Sequence, residues 1–166
     1  MKKDEAAETQ LDRVLGFFPR VDAKASLLFA LNTGQLALLA LNIRPTDLLV
    51  WFVAAPWIVA ALLTATSLFF TYRCMFPHLA GGTSSLIYFR EIARRTEANY
   101  IEESLAQTED GRLRDLAGQI WRNSEILKIK FDAVKIGFTL TVISLVPWCM
   151  FLAANALTHT QDTLLR

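Results

Sequence analysis

The chain has 166 residues, of which 53% are hydrophobic and 20% are charged, and its formal net charge is +1. This length allows one compact domain but no second independent one. The apolar residues form three blocks between strongly charged segments. The net charge therefore says little about partners, because it sums over segments that lie in lipid and segments that lie in water. We expect no nucleic-acid polymer among its partners.

Residues 1–24 are predicted to form a cytoplasmic, amphipathic helix in front of the first apolar block. Its apolar side chains recur at three- and four-residue steps, namely Leu11, Val14, Leu15, Phe18 and Val21. Acidic residues follow the first lysines, which is unlike a secretory signal. Pro19 should bend or break this helix, and the chain is expected to become helical again near Val21.

The next segment, residues 25–72, is predicted to be a transmembrane hairpin with spans at about 25–43 and 48–70. The third span is predicted within 135–157, with its apolar run from about Ile136 to Leu157, and none of the three apolar runs contains a charged residue. At about 1.5 Å per residue, each block matches the ~30 Å hydrocarbon core of a bilayer. Three such blocks in so short a chain leave no soluble core to cover them. The sequence therefore predicts an all-α membrane protein with three transmembrane helices.

Basic residues predict the orientation of the spans. They are frequent before the first span and in residues 73–134, whereas the turn after the first span has only Arg44 and the tail only Arg166. Lys and Arg accumulate on the cytoplasmic side of membrane proteins. We therefore expect a cytoplasmic N-terminus, a cytoplasmic middle region, and an external tail at 158–166.

The first span carries polar groups that lipid cannot satisfy. Asn32 and Gln35 have two interpretations: hydrogen bonds between helices of one bundle, or an oligomer interface or wet path that opens on activation. Gly34 lies in a stripe of small residues that would allow close helix approach. The absence of ionisable residues at mid-span argues against a proton-coupled transporter.

The middle region, 73–134, is predicted to be a small, sensor-like helical bundle. Pro77–Ser85 is a connector by composition, and Ser85–Phe89 is either a short strand or the start of a helix. A charged helix is expected from Arg90 to Gln107, ended by Glu109–Gly111. One long helix should then run from about Arg112 through the third span. Asn123 lies on its near-heptad seam, where a polar residue can fix partner number in a homo-oligomer.

No motif of a catalytic or metal site occurs in the sequence, and the two histidines, His78 and His159, fall on opposite sides of the predicted membrane. We expect no enzyme activity, no cofactor and no metal. One cluster suits an anionic ligand, because arginines hold phosphate and aromatic rings stack on bases; it consists of Tyr88, Arg90, Arg94 and Arg95. The alternative is ordinary topology-setting charge or attraction to anionic lipid.

Three motifs resemble a known family. They are DxKAS at the entry to the first span (Asp22 to Ser26, with Asn32 following), SLIYF with a basic residue after it (Ser85–Arg90), and QIxxNSxILxxKF (Gln119–Phe131). Together they resemble the small membrane effectors of bacterial Pycsar antiphage systems, and the resemblance covers most of the chain.

The resemblance implies a function and a location in the bacterial inner membrane. A partner cyclase would make cyclic CMP or cyclic UMP on infection, the cytoplasmic region would sense it, and the spans would impair the membrane and cause abortive infection. Two alternatives have no nucleotide trigger: a membrane scaffold or accessory subunit that docks a cytoplasmic partner, and a minimal constitutive channel.

Overall fold

The computed structural model describes residues 3–76 and 84–164, with side chains as far as Thr158. Every regular element in these ranges is helical, and the six α-helices are α1 (Lys3–Leu15), α2 (Phe18–Asn42), α3 (Trp51–Met75), α4 (Phe89–Ile92), α5 (Glu97–Ala106) and α6 (Glu109–Leu164). Most of the predicted connector at Pro77–Ser85, His78 and the side chain of His159 lie outside the described residues.

Three helices are long and apolar enough to cross a membrane. They contain α2, α3 and the second half of α6, which are the three predicted spans. Many large apolar side chains of these helices are exposed, including Leu41, Leu62 and Val146, as expected of surfaces that face lipid rather than water. The prediction of an all-α membrane protein with three spans is confirmed.

The chain divides into two compact units. Unit 1 comprises Met1–Val21 and Pro77–Lys130, and unit 2 comprises Asp22–Phe76 and Phe131–Arg166. The single helix α6 belongs to both, since it runs unbroken from Glu109 to Leu164. The prediction that the last helix of the middle region continues as the third span is therefore confirmed.

Unit 2 is a bundle of α2, α3 and the second half of α6. One end of it has an apolar core that contains Leu39, Val53, Ala60 and Phe151. Polar side chains bind neighbouring backbone there: Trp57 Nε1 donates to the Leu39 carbonyl at 3.0 Å. A short turn joins α2 to α3, and it is closed by the Arg44 N–H donating to Asp47 Oδ2 at 2.9 Å.

The break in the N-terminal helix falls before Pro19 rather than at it. Helix α1 ends at Leu15 and α2 begins at Phe18, so the restart near Val21 was placed too late. Pro19 is the second residue of α2. In the first turn of a helix the backbone N–H groups have no partner within the helix, so the N–H that proline lacks costs no hydrogen bond. The break lies at residues 16 and 17: the Gly16 N–H still makes a helical bond to the Asp12 carbonyl at 2.8 Å, whereas the Phe17 N–H donates to the Val14 carbonyl, three residues back, at 3.1 Å.

The single charged helix predicted from Arg90 to Gln107 is wrong: the segment forms two helices, α4 and α5. Thr96 separates them, because its side chain accepts a hydrogen bond from the Asn99 N–H and caps α5. Thr108 does the same for α6, accepting from the Gly111 N–H at 3.1 Å. Glu109–Gly111 therefore begins the last helix instead of ending the previous one.

Candidate functional site

Ser85 fixes the irregular segment 84–88 of unit 1 on helix α6. Its buried hydroxyl accepts hydrogen bonds from the Ile87 and Tyr88 N–H groups, at 3.1 and 3.0 Å, and from Gln119 Nε2 at 3.0 Å. Asp115 adds a second attachment, since its Oδ2 accepts from the Leu86 N–H at 2.8 Å. The segment is neither a strand nor a helix, and α4 begins only at Phe89.

The four predicted ligand residues occupy different environments. Arg95 is largely buried and donates to three acceptors of its own unit: Glu103 Oε2 at 2.9 Å, the Glu91 carbonyl at 2.8 Å and the Ser85 carbonyl at 3.1 Å. Arg94 is mostly exposed and pairs with Glu91. In this structure Arg95 therefore holds α4, α5 and the Ser85 segment together. Its contact with a ligand, and that of Arg94, stay predictions.

Arg90 and Tyr88 complete that predicted set. Arg90 is exposed and also has a partner within the chain. Tyr88 packs its ring against Phe89, with ring centroids 5.1 Å apart. Its hydroxyl is buried and has no hydrogen-bond partner among the described residues. A buried phenol usually finds a partner, so this hydroxyl is an unsatisfied polar group inside the described part of unit 1.

Three clefts surround the Ser85 segment. The first, which we call the acidic cleft, has a volume of about 920 Å³, and its lining includes Asp4, Glu5, Glu8 and Glu109. Its one basic side chain, Arg112, is paired with Glu8. An excess of carboxylates raises the free energy of a bound phosphate, so the largest cleft is poorly suited to an anionic ligand.

The second, which we call the basic cleft, lies along one face of α6. That face carries Gly111, Arg114, Gly118 and Arg122, and the cleft is completed by Ser84–Leu86, Gln107, Asp115 and Gln119. Its volume of about 350 Å³ falls in the range of about 300–1,000 Å³ typical of small-molecule sites. A Cβ atom added at Gly118 would meet no other atom within 4 Å, so the helix surface is open there.

The third, the aromatic cleft, has a volume of about 370 Å³ and adjoins the basic cleft at Gln119. Its lining is largely apolar and includes Phe18, Tyr88, Phe89 and Ile126. Asn123, the predicted seam residue, also lines it and donates from Nδ2 to the Gln119 carbonyl at 2.8 Å. The two clefts together offer cationic groups, which can bind phosphate, beside aromatic surface, which can pack against a base.

Asn32 and Gln35 form a buried polar layer in the bundle of unit 2. Asn32 Nδ2 donates to Ser67 Oγ at 2.8 Å, and its Oδ1 accepts from Thr141 Oγ1 at 2.9 Å. Gln35 Nε2 donates to Ser144 Oγ at 3.0 Å. These bonds link α2 to both other spans, which supports the interpretation of hydrogen bonds within one bundle.

Gly34 lies on the opposite side of α2 from this layer. It is exposed, and a Cβ atom added there would meet nothing within 4 Å. Thr33, its exposed neighbour, bonds only to its own helix through the Phe29 carbonyl. The small residues of this face therefore do not serve packing between the three spans, and their role in an oligomer stays a prediction.

Sequence reasoning singled out Ser85 and Gln119 as motif residues but missed the α6 face that forms the basic cleft. Arg114 and Arg122 were counted only as topology-setting charge, although Gly111, Arg114, Gly118 and Arg122 follow each other at steps of three and four. That spacing puts all four on one helical face, and it was the available signal. Among the residues that the structure describes, no group of His, Cys, Asp and Glu is placed to hold a metal ion.

A comparison with protein-family models matches residues 6–157 to PycTM, the Pycsar effector protein domain. No curated protein and no solved structure matches the chain. The match covers all six helices except the first residues of α1 and the end of α6. The motifs that carry the resemblance also meet in the fold, since Ser85 of the second motif binds Gln119 of the third. The chain therefore belongs to the Pycsar effector family, and it is a membrane effector of antiphage defence.

Proposed function

We propose that cyclic CMP or cyclic UMP, made by a partner cyclase on infection, activates this effector, and that the activated spans impair the inner membrane and cause abortive infection. One observation carries the proposal: α6 lines the basic cleft with Arg114 and Arg122 and continues as the third span. A ligand bound in this cleft therefore touches the helix that crosses the membrane.

The charge of the clefts supports an anionic ligand at this position. Arg114 and Arg122 face the basic cleft together with one carboxylate, Asp115, whose Oδ2 is bound by the Leu86 N–H. A guanidinium offers paired donors that match phosphate oxygens. The neighbouring aromatic cleft offers Tyr88 and Phe89 for contact with a pyrimidine base.

The orientation follows from the charge pattern and belongs to the same proposal. With the N-terminus and unit 1 in the cytoplasm and the C-terminus outside, the basic cleft is accessible to a nucleotide made in the cytoplasm. We further propose that the active form is a homo-oligomer in which a path for ions forms between chains, because the polar side chains of the spans bond to one another within one chain.

Binding is tested by isothermal titration of the detergent-solubilised chain with cyclic CMP, cyclic UMP, and cyclic AMP as the purine control. We expect one of the pyrimidine nucleotides to bind and to depolarise cells that express the chain. If neither binds, the trigger proposed here is wrong.

Two arginine variants separate ligand contact from folding. Arg114→Gln should weaken nucleotide binding about tenfold or more, because charged hydrogen bonds contribute about 1.5–3 kcal/mol, and should leave the melting temperature unchanged. Arg95→Gln should instead lower the melting temperature of unit 1, since three acceptors lose their donor. The opposite result would contradict a site in the basic cleft: if Arg114→Gln binds like the wild type and a stably folded Arg95→Gln binds weakly, the ligand binds at the cluster around Arg95 that the sequence predicted.

The alternative of a scaffold that docks a cytoplasmic partner is supported by helix α5. None of its residues is buried, and Ile101 and Leu105 are 48% and 83% exposed. Two results together would favour this function. A stable partner would co-purify with the wild-type chain but not with the double variant Ile101→Ser/Leu105→Ser, and no nucleotide would cause toxicity.

A further inference from the structure

A groove between α2 and α6 in unit 2 has apolar walls and lysines near one end. Its volume is about 450 Å³, and it is lined by Lys24, Leu27, Leu28, Leu31, Phe131, Val134, Lys135 and Phe138. The side chains that form its rim are largely exposed, with Leu27 at 64%, Leu31 at 57% and Phe138 at 61%. An opening of this kind on a spanning bundle faces lipid rather than water.

The two lysines lie at the same level of the bundle. Asn32 binds Thr141 and Gln35 binds Ser144, both with an offset of 109 residues, so α2 and α6 run side by side in the same direction. By this offset Lys135 is level with residue 26, which is about 3 Å along the axis from Lys24. Leu31 is more than one turn further into the bundle.

The lysines have little else in the groove to neutralise them. The lining contains two ammonium groups and no carboxylate. Lys24 Nζ lies 5.7 Å from the centroid of the Phe131 ring, a cation–π distance that holds the amine at the groove. Both side chains are exposed, so an anion can reach them without displacing a carboxylate of the lining.

We propose that this groove is a binding site for an anionic phospholipid, with the headgroup phosphate between Lys24 and Lys135 and one acyl chain along Leu27, Leu31 and Phe138. Basic pockets between spanning helices bind such headgroups, and the apolar walls continue from the lysines in the direction of the bilayer core. Neither the basic cleft nor the nucleotide is involved, so the site does not depend on the proposed function.

The choice of a lipid over a free phosphate compound rests on the apolar walls. A nucleotide would place polar groups against Leu27, Leu31 and Phe138, whereas an acyl chain covers them at no polar cost. The basic cleft of unit 1, in contrast, is lined by hydrogen-bonding side chains and suits the soluble ligand.

The test is native mass spectrometry of the full chain, purified in detergent and given phosphatidylglycerol or phosphatidylcholine with identical acyl chains. The wild type should retain phosphatidylglycerol preferentially. The double variant Lys24→Gln/Lys135→Gln should retain at least about 10-fold less phosphatidylglycerol, because it removes two lysines that each attract an anionic headgroup. The matched control is Arg73→Gln/Lys128→Gln, which removes two exposed charges outside the groove and should behave like the wild type.

A third variant separates the groove from surface charge. Leu27→Trp keeps both lysines and fills the groove, so it should also lose the lipid. Excess glycerol 3-phosphate should leave the wild-type lipid bound. Equal retention of both lipids by the wild type, equal loss in the control variant, or release by glycerol 3-phosphate would each overturn the proposal.

Discussion

At the scale of single residues, Asn32 shows how a polar side chain is accommodated in an apolar bundle. Its carboxamide donates to Ser67 and accepts from Thr141, and its side chain is fully buried. Ser67 donates in turn to the Gly137 carbonyl at 2.8 Å. Burying an amide without partners costs free energy, so the partners on α3 and α6 are what permits Asn32 at this position.

Asn32→Leu should lower the free energy of unfolding by about 1–2 kcal/mol, because hydrogen bonds between spanning helices contribute roughly 0.6–1.7 kcal/mol each and Ser67 and Thr141 lose a partner. Thr33→Val is the matched control, since Thr33 is exposed and bonds only its own helix; it should cost less than about 0.5 kcal/mol. Unfolding in bicelles measures both. Nucleotide binding should persist in Asn32→Leu, and membrane damage at an unchanged level would identify the residue as purely structural.

At the scale of elements, two glycines of α6 have opposite surroundings. A Cβ atom at Gly137 would lie 3.1 Å from Leu28 Cδ2, 3.3 Å from Thr71 Oγ1 and 3.5 Å from the Ser67 carbonyl. At Gly118 the same atom would meet nothing within 4 Å. Gly137 therefore lies where α6 packs closely against α2 and α3. Gly118 instead leaves the surface of α6 open at the basic cleft.

The identical substitution should separate these two roles. Gly137→Leu should destabilise unit 2 by about 1–3 kcal/mol or more, because a side chain is forced into a filled interface. Gly118→Leu should leave stability equal or slightly higher, since leucine has the better helix propensity, and should weaken nucleotide binding by occupying the cleft. Thermal unfolding and titration of the two variants measure these effects. A Gly137→Leu protein as stable as the wild type would contradict the close packing.

These glycines also mark what the sequence could predict. The three spans follow from long apolar runs, and the continuity of α6 into the third span follows from the absence of Pro between Arg112 and Val146, so both were predicted. The break between α4 and α5 depends on one cap, Thr96, inside a charged segment that is otherwise typical of a single helix. The basic cleft needs Ser85 and α6 to meet across 34 residues, and no local pattern encodes that contact.

At the scale of the whole molecule, two helices belong to both units: α2, whose first four residues lie in unit 1, and α6. Of the two, α6 is the one that lines the basic cleft. It carries Arg114 and Arg122 of the basic cleft in unit 1 and Gly137, Thr141 and Ser144 of the polar layer in unit 2. Under the proposed function, a ligand that favours one state of unit 1 shifts the population of states that the spans adopt. Helix α6 is continuous from Glu109 to Leu164, so it is the route through the chain that this proposal assigns to the shift.

Ile129→Pro tests this connection. Ile129 lies next to the boundary between the units and is 55% exposed, so its side chain contributes little packing. Proline there removes a helical hydrogen bond and kinks α6 at a cost of about 3 kcal/mol, whereas Ile129→Ala keeps the helix intact. We expect both variants to insert and to bind the nucleotide, and only Ile129→Pro to lose depolarisation, since the bound state of unit 1 no longer reaches the spans. Titration and a potential-sensitive dye measure the two steps separately. Full depolarisation by Ile129→Pro at wild-type nucleotide levels would show that the signal does not need an unbroken α6, and would direct the search to α2, which also crosses the boundary between the units.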